Sequence, residues 1–184
     1  MLKFRLSELK QRYTLGERYF SNINLSGLDL SGLNLENINF LNVNLENVNL
    51  QGTNLENATL KYVNLTDSNL YRANLYRARL SDTNLTKSNL KETYLRCSFI
   101  NNVKLDYVYL EKTDFSEAYL KNVSVKGSKI NKTDLTDSTL IDVNLSQAYI
   151  VEMYYSKLTK LYNCFQGEVI GEDFFKDTVT SFII

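Results

Sequence analysis

The chain contains no histidine and no proline, and only two of its 184 residues are cysteine. Without histidine there is no imidazole for acid–base chemistry near neutral pH and none for metal ligation. Without proline, no position lacks a backbone N–H, so a long hydrogen-bonded ladder can run uninterrupted. Cys97 and Cys164 lie too far apart for a CxxC or zinc pattern and are expected as free thiols of a cytoplasmic protein. No run is long and apolar enough for a membrane span, and Met1–Glu8 lacks the apolar centre of a secretory signal. Lys plus Arg and Asp plus Glu number 21 each, so the formal net charge is zero. There is no glycine-rich phosphate loop, nucleophile motif or metal-ligand spacing. A non-enzymatic protein without metal or cofactor is expected.

What the chain does have is a period. From Leu25 to Ile150 every fifth residue is apolar, giving 26 consecutive positions with 20 Leu, 3 Ile, 2 Phe and 1 Val. A five-residue step turns by roughly 140° around a helix of 3.6 residues per turn, so no apolar helical face would survive. Five is odd, so a long strand with period two is excluded as well. Each unit must therefore be a short extended piece followed by a corner. Two residues before each central position, the side chain is apolar or small (Ile23, Ala73, Ser88) and should point inward with it. The residue between them points outward and is often Asn or Asp, as at Asn24, Asp29 and Asn34. The second corner residue is only Asn or Gly from 22 to 57, as positive φ and a type II turn require. From Tyr62 the site holds Tyr, Asp, Arg, Arg, Asp and Lys in turn up to Lys87, and those corners are expected to be mostly of another turn type.

The units Ala73-Asn74-Leu75-Tyr76-Arg77 and Thr53-Asn54-Leu55-Glu56-Asn57 resemble the pentapeptide-repeat family, with consensus Ala-(Asp/Asn)-Leu-x-x. The resemblance covers about 130 residues. It implies an all-β fold: a right-handed, quadrilateral parallel β-helix with four repeats per coil, here about six and a half coils. Val, Ile and Leu at the inward small position crowd into residues 23–48, where wider or distorted coils are expected. The stretch Leu9–Phe20, running into Asn24-Leu25-Ser26-Gly27, is similar to the leader of cyanobacterial members.

The organisation expected is an N-terminal cap over 1–20, the β-helix over 21–152, and a C-terminal cap or dimerisation segment over 153–184. Ser7 is a candidate N-cap and Gly16 a candidate C′ residue of a short helix, with Leu6, Leu9 and Tyr13 on one face. Beyond 150 the five-residue register lapses, with Lys at 160. Phe174-Phe175 and Phe182-Ile183-Ile184 would either fold back over the last coil or bury against a second copy, making a homodimer.

With twenty residues per coil, positions differing by twenty stack. The column 24, 44, 64, 84 is all Asn, which suits stacked amides. The column 39, 59, 79, 99, 119, 139 instead places Arg79, Phe99 and Tyr119 where the consensus has Asp or Asn. Tyr94 and Arg96 lie one corner away, and Tyr71, Arg72, Tyr76 and Arg77 just before. Tyr and Arg are residues that anchor interfaces, so these nine form the candidate surface for an unidentified protein partner. The alternative is aromatics stacked only on themselves. Along the axis, residues 21–60 carry net −4 and residues 61–100 net +4. The resemblance also implies a second role, that of DNA mimics which inhibit or protect DNA gyrase, as quinolone-resistance members do. Mimicry needs an extended acidic surface, which a neutral chain with a basic middle does not offer. Direct nucleic-acid binding is not expected either.

Overall fold

The computed structural model describes residues 2–164. The five-residue period becomes a parallel β-helix with four walls, its coils stacked in a twenty-residue register. In chain order the elements are β1 (Leu2–Lys3), α1 (Leu6–Thr14), β2 (Tyr19–Ser21), β3 (Ile23–Asn24), β4 (Asn39–Leu41), β5 (Thr59–Lys61) and β6 (Arg79–Ser81). There follow β7 (Phe99–Lys104), β8 (Tyr109–Glu111), β9 (Tyr119–Ser124), β10 (Lys129–Asp134), β11 (Thr139–Asn144), β12 (Tyr149–Tyr154) and β13 (Lys160–Tyr162). Strands β2, β4, β5, β6, β7, β9, β11 and β13 form one eight-stranded parallel sheet, here called the strand wall. In the first coils the other walls are stitched mainly by single bridges such as Asn24↔Asn44, Asp29↔Asn49 and Asn34↔Asn54, and further along β8, β10 and β12 form a second, three-stranded parallel sheet. Eight crossings of one wall correspond to seven turns between the first strand and the last.

The central residues fill the axis. Leu65, Leu85 and Leu105 are buried one above another, and each donates its N–H to the next coil: to Asn84 O (2.7 Å), Lys104 O (2.8 Å) and Ser124 O (2.7 Å). Ile38, Val43 and Val48 are buried too, and the twenty-residue register holds through the coils where bulky residues crowd. Buried threonines at the small position put their hydroxyls on leucine carbonyls of the preceding coil: Thr53 on Leu30 O, Thr93 on Leu70 O and Thr113 on Leu90 O, each at 2.8 Å. A buried hydroxyl would otherwise cost free energy.

The corners correct one expectation. Every fifth residue from Asn22 to Gln147 has positive φ, including Tyr62 (56°), Asp67 (56°), Arg72 (57°), Arg77 (56°), Asp82 (53°) and Lys87 (61°). The change of residue type at 62 brings no change in this backbone sign. A non-glycine residue there costs roughly 1–2 kcal/mol. The stacking overrides that cost, because each such corner donates its N–H to the coil above: Tyr62 to Ser81 O (3.1 Å), Arg72 to Lys91 O (3.1 Å), Lys87 to Asp106 O (2.9 Å).

At the N-terminal end, β1 pairs in parallel with β3 (Leu2↔Ile23, Lys3↔Asn24), and Phe4 N–H reaches Asn24 O at 2.9 Å. Helix α1 then turns Leu9 fully inward, with Leu6 and Tyr13 half-buried against the core. Phe4, Phe20 and Phe40 make successive edge-to-face contacts at 6.2 and 6.1 Å, and Arg12 lies 5.2 Å from the Phe4 and Phe20 rings. The N-cap is Arg5, without a side-chain cap bond, and not Ser7. Pairing of β1 and Phe4 with the first coil fixes where the chain can turn into the helix, which leaves Ser7 inside its first turn. Gly16 is at C′ as expected (φ 94°), with Gly16 N–H on Tyr13 O and Glu17 N–H on Arg12 O, both 3.0 Å. That bond pair is the Schellman motif.

Beyond Ile150 the chain keeps stacking, past the expected boundary at 152. Tyr154 still pairs with Asp134, twenty residues back, but Lys160 pairs with Thr139 and Leu161 with Leu140, twenty-one back. One extra residue is taken up between Tyr154 and Ser156, where Tyr155 is exposed, because the Thr159 N–H bond to Ser156 O repeats the Ser138 N–H bond to Leu135 O twenty-one residues on. The apparent loss of register is thus a one-residue slip, and Lys160 is an outward residue beside the inward Thr159. The C-terminal pairs Phe174-Phe175 and Phe182–Ile184 lie outside the described residues. Among the described residues no helix is long and apolar enough to cross a membrane, and Cys97 and Cys164 are both free and half-buried.

Candidate functional site

Three walls of the first coils are amide ladders. Asn49 donates through Nδ2 to Asp29 Oδ1 (2.9 Å), Asn69 to Asn49 (3.1 Å) and Asn89 to Asn69 (3.2 Å), while Asn54 donates to Asn34 (3.1 Å) and Asn74 to Asn54 (3.0 Å). Each Oδ1 also accepts the N–H two residues on, as with Tyr71 N–H on Asn69 (3.2 Å). Donor and acceptor capacity is used within the wall, so these side chains are structural.

The strand wall is different. Register places Arg79, Phe99 and Tyr119 on consecutive strands. The Phe99 and Tyr119 rings are parallel within 2°, with centroids 5.2 Å apart. Phe99 is 37% exposed and Tyr119 half-buried. Stacking at the coil spacing therefore makes a rigid apolar ridge, with the Arg79 guanidinium exposed on the strand before it.

The other six candidates surround this ridge but are engaged differently. Tyr76, Arg77 and Arg96 occupy the corner leading into the strand wall. Tyr94 lies on the preceding wall beside Asn74 and is 54% exposed, and Tyr71 and Arg72 occupy the corner before that. Arg72 lies 4.8 Å from the Tyr71 ring and donates Nε–H to Glu92 Oε2 at 2.7 Å. This hydrogen bond holds the Glu92 carboxyl below its ordinary range and pushes the Arg72 guanidinium up. Arg96 is bonded to Glu117, whose carboxyl is held low first by Arg96 and then by the Cys97 thiol, 3.5 Å away. Arg77 lies 4.9 Å from the Tyr76 ring. The structure brings all nine onto two adjacent walls and their corners, with Arg72 and Arg96 already neutralised by glutamates.

Several exposed residues were not singled out from sequence. Lys61 and Lys121 stand on the strand wall one residue after its central column, and Lys160 stands on its last strand. The spacing of sixty residues between Lys61 and Lys121, three coils, was the available signal. Tyr107, Tyr109 and Tyr149 are exposed on the opposite side, with Lys129 Nζ 5.3 Å from the Tyr109 ring. Among the described residues no group of three or more His, Cys, Asp or Glu side chains is arranged to hold a metal ion.

Comparison with known proteins agrees with this architecture. A family model described as pentapeptide repeat region matches residues 18–109, and one described as pentapeptide repeats (8 copies) matches residues 100–137 and 118–152. Among solved structures, alr5209 from Nostoc PCC 7120, a pentapeptide repeat protein, is 26% identical. The match covers 54% of this chain and 82% of that one with a TM-score of 0.52. HetL from Nostoc sp. strain PCC 7120, a pentapeptide repeat protein involved in heterocyst differentiation regulation, is 21% identical over 88% of this chain and 79% of its own, with a TM-score of 0.37. QnrB1, a plasmid-mediated fluoroquinolone resistance protein, is 14% identical over 82% of this chain and 76% of its own, with a TM-score of 0.43. Comparison with curated proteins returns no match.

Proposed function

Because the chain belongs to the pentapeptide-repeat family, we propose that it works in the cytoplasm as a non-enzymatic scaffold, presenting fixed columns of side chains to a protein partner. The observation that carries this reading is the ridge of Phe99 on Tyr119, exposed on a rigid wall beside Arg79. An aromatic pair held by the backbone on both sides loses little side-chain freedom when a partner covers it, and such rigid anchors favour binding. The interior supports the same reading, since the central residues pile along the axis and leave chemistry only to the outer walls. A DNA mimic would instead require carboxylates along its binding wall, and the strand wall presents cations. With DNA gyrase, a supercoiling assay is expected to show neither inhibition nor protection from a quinolone.

The test is affinity capture on the full chain, comparing wild type with a Phe99→Asn/Tyr119→Asn double variant whose circular dichroism is unchanged. A protein retained by the wild type should be lost by the variant. Equal retention by both would remove the strand wall as the recognition surface.

A further inference from the structure

The strand wall has a second property besides its aromatic ridge. Its outward residues, two on each of eight strands, include Lys61, Arg79, Lys121 and Lys160. None is a carboxylate, and four are cations. Every other wall carries acidic residues, such as Glu46 and Asp106, Asp29 and Glu111, or Asp114 and Asp134. On the other walls and corners some cations are matched, Arg72 with Glu92 (2.7 Å), Lys91 with Glu111 (2.8 Å), Lys132 with Glu152 (4.0 Å) and Arg96 with Glu117, while others such as Arg77, Lys87 and Lys126 make no ion pair among the described residues but have acidic residues on their own walls or corners. Among the described residues Arg79, Lys121 and Lys160 make no ion pair, and Lys61 only leans 5.1 Å over the Tyr62 ring. The nearest acids sit past the wall's edges. Asp82 is held by Asn102, Asp142 by Asn163 and Glu117 by Arg96.

We propose that this wall is a docking surface for an acidic, extended polypeptide segment of the partner, a reading that rests on the scaffold function above. Lys61 and Lys121 occupy the same column three strand steps apart, which is roughly 14 Å at 4.7–4.9 Å per step. In an extended peptide, residues four apart point the same way and lie roughly 13–14 Å apart. A segment running along the rod can therefore set one carboxylate on Lys61 and a second on Lys121, while the side chain midway falls between the strands of Arg79 and Phe99, at the near end of the Phe99–Tyr119 ridge, and Arg79 reaches the backbone or a further acid. A nucleic acid fits less well. Stacking a base needs an open ring face, whereas Phe99 and Tyr119 turn theirs toward one another along the rod.

The test is fluorescence anisotropy of the full chain with a short labelled peptide carrying two glutamates four positions apart and a leucine between them. The peptide should bind at low salt and weaken as salt rises, as exposed charge pairs do. Lys61→Glu/Lys121→Glu should weaken binding about tenfold or more. Phe99→Asn should weaken it several-fold, and Lys87→Ala, on a corner away from this wall, should leave it unchanged. A peptide with the glutamates adjacent should bind less well. The proposal is overturned if the acidic peptide does not bind, or if the double charge reversal binds it equally. It is also overturned if a single-stranded oligonucleotide or a second copy of this chain occupies the wall more tightly through the same residues. If partner capture still depends on Phe99 and Tyr119 while the acidic peptide fails, only this inference falls; if capture is indifferent to both residues, the scaffold reading falls with it.

Discussion

The ring of Tyr107 occupies the space beside Gly127, one coil further on: a β-carbon placed on Gly127 would sit 2.5 Å from Tyr107 Cε1 and 2.6 Å from Cδ1. Gly127 also has φ +66°, so both space and conformation favour glycine there. Gly127→Ala is expected to lower stability by about 1–2 kcal/mol, read as the urea unfolding midpoint. Adding Tyr107→Ala should recover the steric part and leave the backbone part. Full additivity of the two changes would show that the ring does not rest on the glycine.

The corners allow a cleaner test of backbone strain. Lys87 is at φ 61°. Lys87→Gly should be stabilising by about 0.5–1 kcal/mol, Lys87→Ala nearly neutral, and Lys87→Val destabilising by about 1–2 kcal/mol, since β-branched residues are poorest at positive φ. The same denaturation midpoints rank the three.

Two residues before Lys87, Leu85 is 1% exposed. Leu85→Ala should cost about 2–5 kcal/mol, and Leu85→Asp should unfold the neighbouring coils, seen as loss of β circular dichroism. Tolerance of aspartate at 85 would mean that the central column is not the core.

Asn69 donates to Asn49 and accepts from both Asn89 and Tyr71 N–H. Asn69→Ala should cost about 1–3 kcal/mol, the sum expected for partly exposed hydrogen bonds. Hydrogen exchange should be faster at Tyr71 N–H, the donor left without its acceptor.

The pH dependence follows from carboxylates alone, because the chain has no histidine. Glu17, Glu92 and Glu117 are held low by hydrogen bonds from Arg12, Arg72 and Arg96, and Asp29 by Ser31 and then Asn49. A folded-state value below the unfolded one contributes stability that is complete above the unfolded value and lost as pH falls through the folded value. The melting temperature should therefore stay level from about pH 8 to pH 5 and decline below about pH 4. A step between pH 6 and 7 would contradict this.

How much could be read in the residues beforehand depends on how far each feature rests on counting. Superposition of Leu65, Leu85 and Leu105, and of Phe99 on Tyr119, follows from the counted period of five together with the four repeats per coil that the family resemblance implies, because stacking repeats the same backbone geometry at each coil. The sign of φ at Tyr62 and Arg72 did not follow, because local residue preference was outweighed by the N–H each corner donates to the next coil. The coil beyond Ile150 was hidden by a single extra residue before Thr159, and Arg5 as N-cap by a strand pairing that has no capping motif. The ion pairs of Arg72 with Glu92 and Arg96 with Glu117 join residues twenty and twenty-one apart. They needed the column map applied to charges, as did the carboxylate-free wall.

The twenty-residue register has a consequence for insertions and deletions. Removing four successive units shortens the rod by one storey and leaves every later residue facing its original compass direction. Removing a single unit swings everything downstream through a quarter circle, so that Tyr119 and Lys121 would no longer share an aspect with Lys61. The extra residue before Thr159 does neither, because it is absorbed where it stands and Lys160 still looks out beside Thr139.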